Sequence, residues 1–167
     1  LLECVDLAVQ APTGDGAESW RFIVVTEDSK KRGLGDIYRR AFDQYMARRE
    51  DEIRRGERDA EDLSPNYRFL ADHLEDYPAL VMVTRGGRPS DEIAQQVAFY
   101  GSIMPAAWSL MLAMRARGLG ATWTTLHSLY EEDVRILLDM PADSTPVILL
   151  PVGYIKNAVC LLYTSPS

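Results

Sequence analysis

The side chains that usually carry catalysis form no familiar arrangement in this chain. His73 and His127 are its only histidines, and neither has a Cys or a carboxylate at metal-ligand spacing. The plain reading of each is a packed or surface imidazole. There is no Gly-x-Ser-x-Gly elbow for a hydrolase and no P-loop. Gly118-Leu119-Gly120 begins like a dinucleotide fingerprint, but Trp123 stands where the third glycine belongs, and the run follows a helix where the fingerprint needs a strand. Two segments remain. Residues 12–19 form a loop of small and turn-forming types ahead of an aromatic residue and a strand. A long apolar helix ends in Gly118-Leu119-Gly120 and leads into Ala121-Thr122-Trp123-Thr124-Thr125-Leu126-His127. With no evident acid, base or nucleophile, such a chain does chemistry when a cofactor brings it and the protein supplies shape and hydrogen bonds.

Hydrophobic periodicity gives the elements that must position these segments. Leu1, Leu2, Val5, Ala8 and Val9 share a helical face, and Pro12 ends that helix at Ala11. Residues 21–26 read as a strand. Ser29 is placed to cap a long helix carrying Leu34, Ile37, Tyr38, Ala41, Phe42, Tyr45 and Met46 at helical spacing. Its continuation, residues 39–62, mixes Arg with Asp and Glu, which predicts a solvated helix or hairpin laced with local ion pairs, or a lid over a pocket. Ser64-Pro65 is placed to start the next helix, with Tyr67, Leu70, Ala71 and Leu74 on one face, and residues 79–84 read as a buried strand. Ser90 is placed to cap the longest helix, running to Gly118 and bent at Pro105. Residues 121–126 read as a strand, Ser128 with Glu131 as a capping box for a helix through Leu138, and residues 145–153 as the last strand. This order predicts an α+β fold with a central mixed sheet flanked by helices.

Composition narrows the function classes. The chain has 167 residues, enough for one domain, with 47% hydrophobic and 26% charged residues. A net charge of −7 argues against a broad nucleic-acid surface. Cys4 and Cys160 are too few for a disulfide scaffold, so a reducing, cytoplasmic setting is expected. No apolar run is expected to reach the roughly 18 residues of a membrane span, and no membrane partner is expected. The first helix starts without a cap, and residues 157–167 carry no charge and no period. The domain is therefore read over residues 1–156, with both natural termini expected beyond it and a non-native tail at 157–167.

Three segments together resemble the flavin-dependent nitroreductase family. Ala11-Pro12-Thr13-Gly14-Asp15-Gly16-Ala17-Glu18-Ser19-Trp20-Arg21-Phe22-Ile23-Val24-Val25 is similar to the family's Ala-Pro-Ser-(small)-x-Asn-x-Gln-Pro-Trp-x-Phe-x-Val-Val. The run from Met104 through Ala107-Trp108 to Gly118-Leu119-Gly120 resembles its long core helix and exit. Val134-Arg135-Ile136-Leu137-Leu138-Asp139-Met140-Pro141, with the strand ending Pro151-Val152-Gly153-Tyr154, resembles its Val-Arg-x-Leu-Leu-(Gly)-x-Pro and final Pro-x-Gly-Tyr. The sequence departs from the pattern at Gly16, Glu18 and Ser19, where the family has Asn, Gln and Pro.

The resemblance implies an intertwined homodimer with FMN at its interface. It implies ping-pong transfer from NAD(P)H through FMN to a small electron acceptor such as a nitroaromatic or quinone. It carries Pro12, Thr13 and Gly14 to the flavin, in the partner's site, and Trp123, Thr125 and Leu126 to the isoalloxazine edge, where a backbone N–H meets N5. It implies no catalytic side chain and no metal. The alternative is a non-catalytic or degenerate flavin-binding member of the same fold, which Gly16 and Glu18 would suit.

Overall fold

The computed structural model describes residues 1–16, 18–59 and 66–156. Helix α1 (Leu2–Ala8) is followed by strand β1 (Trp20–Val25). Helices α2 (Asp28–Arg54) and α3 (Asn66–Asp72) lead back to β2 (Ala79–Gly86). Then come α4 (Ile93–Gly101), α5 (Met104–Arg115), β3 (Leu119–Ala121), α6 (Glu131–Leu137) and β4 (Ser144–Tyr154). The strands form one sheet in the order β1-β2-β4-β3.

All pairings among the described strands are antiparallel, where a mixed sheet was expected. The reason lies in the connections. Helices α2 and α3 form a hairpin: Arg68 on α3 bonds Asp43 at mid-α2, and Lys31 near the start of α2 reaches the Tyr77 carbonyl. The chain therefore returns to the end of β1 before β2 begins, and β2 must run back along it. A parallel neighbour needs a crossover to the opposite end instead.

The sheet separates two apolar layers, because successive strand residues face opposite sides. Val81, Val83, Ile148, Leu150 and Val152 pack against Cys4 and Ala8 of α1 and Ala107, Leu110 and Met114 of α5. Leu80, Met82 and Leu149 pack on the other side against Leu34, Tyr38 and Phe42 of α2, Leu70 of α3 and Val134 of α6. Strands β2 and β4 are buried on both faces, so they read as continuous apolar runs without alternation.

Several local expectations change. The apolar helix is two helices, broken at Ser102, whose hydroxyl donates to the Ala98 carbonyl; Pro105 lies in the first turn of α5, where its missing N–H costs nothing. Helix α2, not this pair, is the longest. Against the expectation that no apolar run is long enough, Ile93–Arg115 has the length and composition to cross a membrane; in this fold much of its surface is buried. Ser29 sits inside the first turn of α2 and bonds Glu27, the actual cap position. Ser128 lies in a 3-10 turn, Leu126–Tyr130, so no capping box forms at α6. Ser90 does accept the Glu92 N–H, one turn before α4 starts. The expected start at Ser64-Pro65 lies outside the described residues.

The charged stretch continues α2 to Arg54, with Arg48–Glu52 at 3.2 Å and Arg54–Asp51 at 2.8 Å. Such exposed pairs contribute a few tenths of a kcal/mol each, which is what a solvated face needs and no more.

Candidate functional site: an aromatic cavity beside residues 122–127

Gly118 ends α5 with φ +76°, a left-handed conformation that glycine takes without Cβ strain. That turn reverses the chain onto the free edge of β4, where Leu119 pairs with Tyr154 and Ala121 with Val152. The pairing then loosens. Thr122 N–H reaches the Pro151 carbonyl at 3.3 Å, and Thr124 makes a single antiparallel bridge with Leu149. The expected strand over residues 121–126 is thus a short β3 followed by one bridge, and a 3-10 turn takes over at Leu126.

The Thr124 bridge fixes which way the next peptide points. Its N–H donates to the Leu149 carbonyl at 3.1 Å, and its carbonyl accepts from the Leu149 N–H at 2.9 Å. A trans peptide holds C=O and the following N–H on opposite sides. With the Thr124 carbonyl turned to β4, the Thr125 N–H must face away from the sheet. By the same rule the Trp123 carbonyl faces away as well.

Residues 122–126 also line a cavity of about 510 Å³, within the usual range of small-molecule sites. Its walls are Tyr38, Phe42 and Tyr45 of α2, Phe69 of α3, Tyr77, and Trp123, with Thr122, Thr124, Thr125 and Leu126 along one edge. Among the described lining residues none carries a formal charge. A second, smaller cavity of about 190 Å³ shares Thr125 and is bordered by Tyr100, Met104, Ser128 and Glu131.

The structure brings together Trp123, Thr125 and Leu126, three of the six residues the resemblance singled out. Pro12, Thr13 and Gly14 lie elsewhere. The Gly14 N–H donates to the Ser102 hydroxyl at 3.0 Å, which anchors that loop at the break between α4 and α5. Glu18 lines a different groove, with Arg21, Asp139 and Asp143. The contribution of α2 was overlooked at the sequence level. Tyr38, Phe42 and Tyr45 recur at helical spacing and read as core; Tyr38 and Phe42 are indeed buried, yet the same face lines the cavity. Three aromatics at that spacing on one helix were the available signal.

His127, next to this edge, is fully buried. Its Nε2 lies 3.3 Å from the Pro146 carbonyl, and its Nδ1 has no hydrogen-bond partner among the described residues. Burial pushes the imidazole down from its ordinary 6.5 to about 4, against the smaller opposing effect of the Pro146 carbonyl. At neutral pH His127 is an uncharged imidazole donating one bond to β4. Its bond ties the 3-10 turn beside the site to β4. No group of His, Cys, Asp and Glu suited to a metal ion occurs among the described residues.

Comparison with known proteins agrees with this architecture. The iodotyrosine deiodinase of Drosophila melanogaster is 27% identical over 166 residues, covering 93% of this chain and 54% of that protein. The chain spans about half the length of the curated relatives it matches. Oxidized iodotyrosine deiodinase bound to FMN and 3-iodo-L-tyrosine superposes with a TM-score of 0.67 at 20% identity, over 99% of this chain and 82% of that one. The NADPH:FMN oxidoreductase of Vibrio harveyi complexed with NAD+ superposes with a TM-score of 0.65 at 12% identity, over 93% of this chain and 59% of that one. These two likenesses concern the fold. The profile of the nitroreductase family matches residues 1–154, and the chain belongs to that family.

Proposed function

We propose that this chain is an FMN-dependent oxidoreductase that takes reducing equivalents from NAD(P)H and delivers them to a small aromatic acceptor, a nitroaromatic, a quinone or a similar molecule. The observation that carries the reading is an aromatic, uncharged cavity with residues 122–126 along one edge, where the Thr124 bridge turns the Thr125 N–H away from β4. An isoalloxazine needs flat apolar walls and a hydrogen-bond donor toward N5, and Trp123, Phe42 and the Thr124–Thr125 peptide offer both. The ring fits these residues. The phosphate calls for cationic donors, and the described cavity lining contains none. The ring end of FMN is therefore assigned to residues 122–126, and its phosphate is left without an assigned partner.

When bound, FMN supplies the redox chemistry, accepting a hydride and passing electrons on. The chain's own residues orient it and exclude water. Trp123 and the α2 aromatics would flank the ring, and the β4 bridge sets the direction of the donor peptide before any ligand arrives, which lowers the ordering cost at binding.

A second copy of the chain completes the site in this reading. Ile93, Val97, Met104, Trp108 and Leu112 of α4 and α5 are exposed, and Trp108 remains 56% accessible. Met104, Trp108 and Leu112 recur every four residues and so share one face of α5, an exposed apolar face that suits an interface, and the Gly14 N–H is tied to Ser102 at the start of that helix.

A second reading, reductive removal of a halogen from an aromatic ring, is favoured by relatives named iodotyrosine deiodinase. A third, flavin binding without turnover, rests on Gly16 and Glu18. One set of assays separates them. The full-length protein is loaded with FMN, and NAD(P)H oxidation with a nitroaromatic or quinone is compared with iodide release from 3-iodo-L-tyrosine under dithionite. Acceptor-dependent NAD(P)H oxidation supports the proposal. Iodide release alone supports the second reading, and flavin that NAD(P)H leaves oxidised, with no iodide released, supports the third.

A further inference from the structure

The Tyr38 hydroxyl lies 2.7 Å from the Thr124 hydroxyl, and both side chains are buried, at 3% and 8% exposure. This bond joins α2 to the one residue whose backbone bridge sets the direction of the Thr125 N–H. Thr124 is thus held on two sides: its peptide groups by Leu149 of β4, its side chain by Tyr38 of α2. The need for the second hold follows from the sheet. Regular pairing with β4 stops at Ala121, and beyond it only the Thr122–Pro151 bond and the Thr124–Leu149 bridge tie the chain to β4 before the 3-10 turn at Leu126. On one side the bridge has only the long Thr122–Pro151 bond and on the other no strand pairing, so it has less support than a pair inside a sheet.

We propose that Tyr38 is a positioning residue for the cofactor edge: its hydrogen bond to Thr124 fixes the tilt of the Thr124–Thr125 peptide and so the donor presented to the flavin. This rests on the FMN reading above. Tyr38 acts through Thr124; its ring remains a wall of the cavity whether or not the hydroxyl is present, so Tyr38→Phe removes one oxygen and keeps the wall.

The test compares the wild-type full-length protein with Tyr38→Phe, Thr124→Val and the double variant. FMN affinity is measured by quenching of flavin fluorescence, and the midpoint potential and visible spectrum are recorded on the bound flavin. Amide exchange at Thr124 and Leu149 is followed without FMN. One buried hydrogen bond between neutral groups corresponds to about a 5-fold change in an equilibrium constant. Tyr38→Phe is expected to weaken FMN about 5-fold, shift the potential and speed exchange at the bridge. Thr124→Val should do the same, the double variant little more, and Thr124→Ser, which keeps the hydroxyl, should bind like the wild type. A folded Tyr38→Phe protein with unchanged FMN affinity, potential and bridge exchange overturns the positioning role while leaving the cofactor reading intact. If Tyr38→Phe does not fold, a Thr124→Val protein that binds FMN like the wild type overturns it. A wild-type protein that takes up no FMN overturns both.

Discussion

Between about pH 7.5 and pH 5, the stability of the fold should fall by about 2 kcal/mol through His127 alone. The neutral ring donates from Nε2 to Pro146 and leaves Nδ1 without a partner among the described residues. Protonation would place a second N–H and a positive charge in a site with no exposure. Burial accordingly lowers the imidazole to about 4, against an ordinary 6.5. The depressed folded value gives the sign: the unfolded chain binds the proton first, so stability is complete above about pH 6.5 and declines as pH falls toward 4. At about pH 5 the unfolded state is favoured about 30-fold by this group, which is the 2 kcal/mol quoted, and below pH 4 the loss levels off near 3 kcal/mol. The assay is urea unfolding of wild type and His127→Leu at the two pH values. The variant loses its bond to Pro146 and starts less stable by about 1 kcal/mol, but its further loss on acidification should be smaller than the wild type's by about 2 kcal/mol. Parallel losses in the two proteins would refute the reasoning.

Other substitutions probe separate parts of the account. Leu149→Ala, at a fully buried position of β4, should cost about 3 kcal/mol in urea unfolding. Gly118→Ala should cost about 1 kcal/mol through backbone strain, since nothing crowds a Cβ there; a stability equal to wild type would contradict the left-handed turn. Trp108→Glu, on the exposed face of α5, should abolish the proposed dimer, read by light scattering, and a mass equal to that of a dimeric wild type would remove that face from the interface. Trp123→Ala should weaken FMN about 10-fold by fluorescence titration, as loss of an aromatic wall predicts.

Much of the layering was legible in the sequence because burial has a period. Residues 79–84 and 145–153 are unbroken apolar runs, and both became central strands buried on two faces. Where local rules were read alone they misplaced boundaries. Ser29 and Ser128 are good caps in isolation, but Glu27 is the cap residue of α2 and the 3-10 turn at Leu126–Tyr130 leads directly into α6. The apolar stretch at residues 93–115 showed no visible break, since Ser102 interrupts it through contacts with Ala98 and Gly14 that only the folded chain brings near. Trp123, Thr125 and Leu126 could be found by the resemblance. Tyr38 could not be told from core by spacing, because its ring is core and its hydroxyl serves the site. The direction of the Thr125 N–H is a property of the bridge with Leu149 and has no sequence signature.

The proposed role of residues 122–126 and the aromatic cavity beside them is to hold FMN for reduction by NAD(P)H. The most direct measurement is the visible spectrum of the purified full-length protein with FMN, before and after anaerobic addition of NAD(P)H. The account predicts a protein-bound flavin band that bleaches on reduction. A protein that leaves FMN free in solution, or binds it without bleaching, would contradict it.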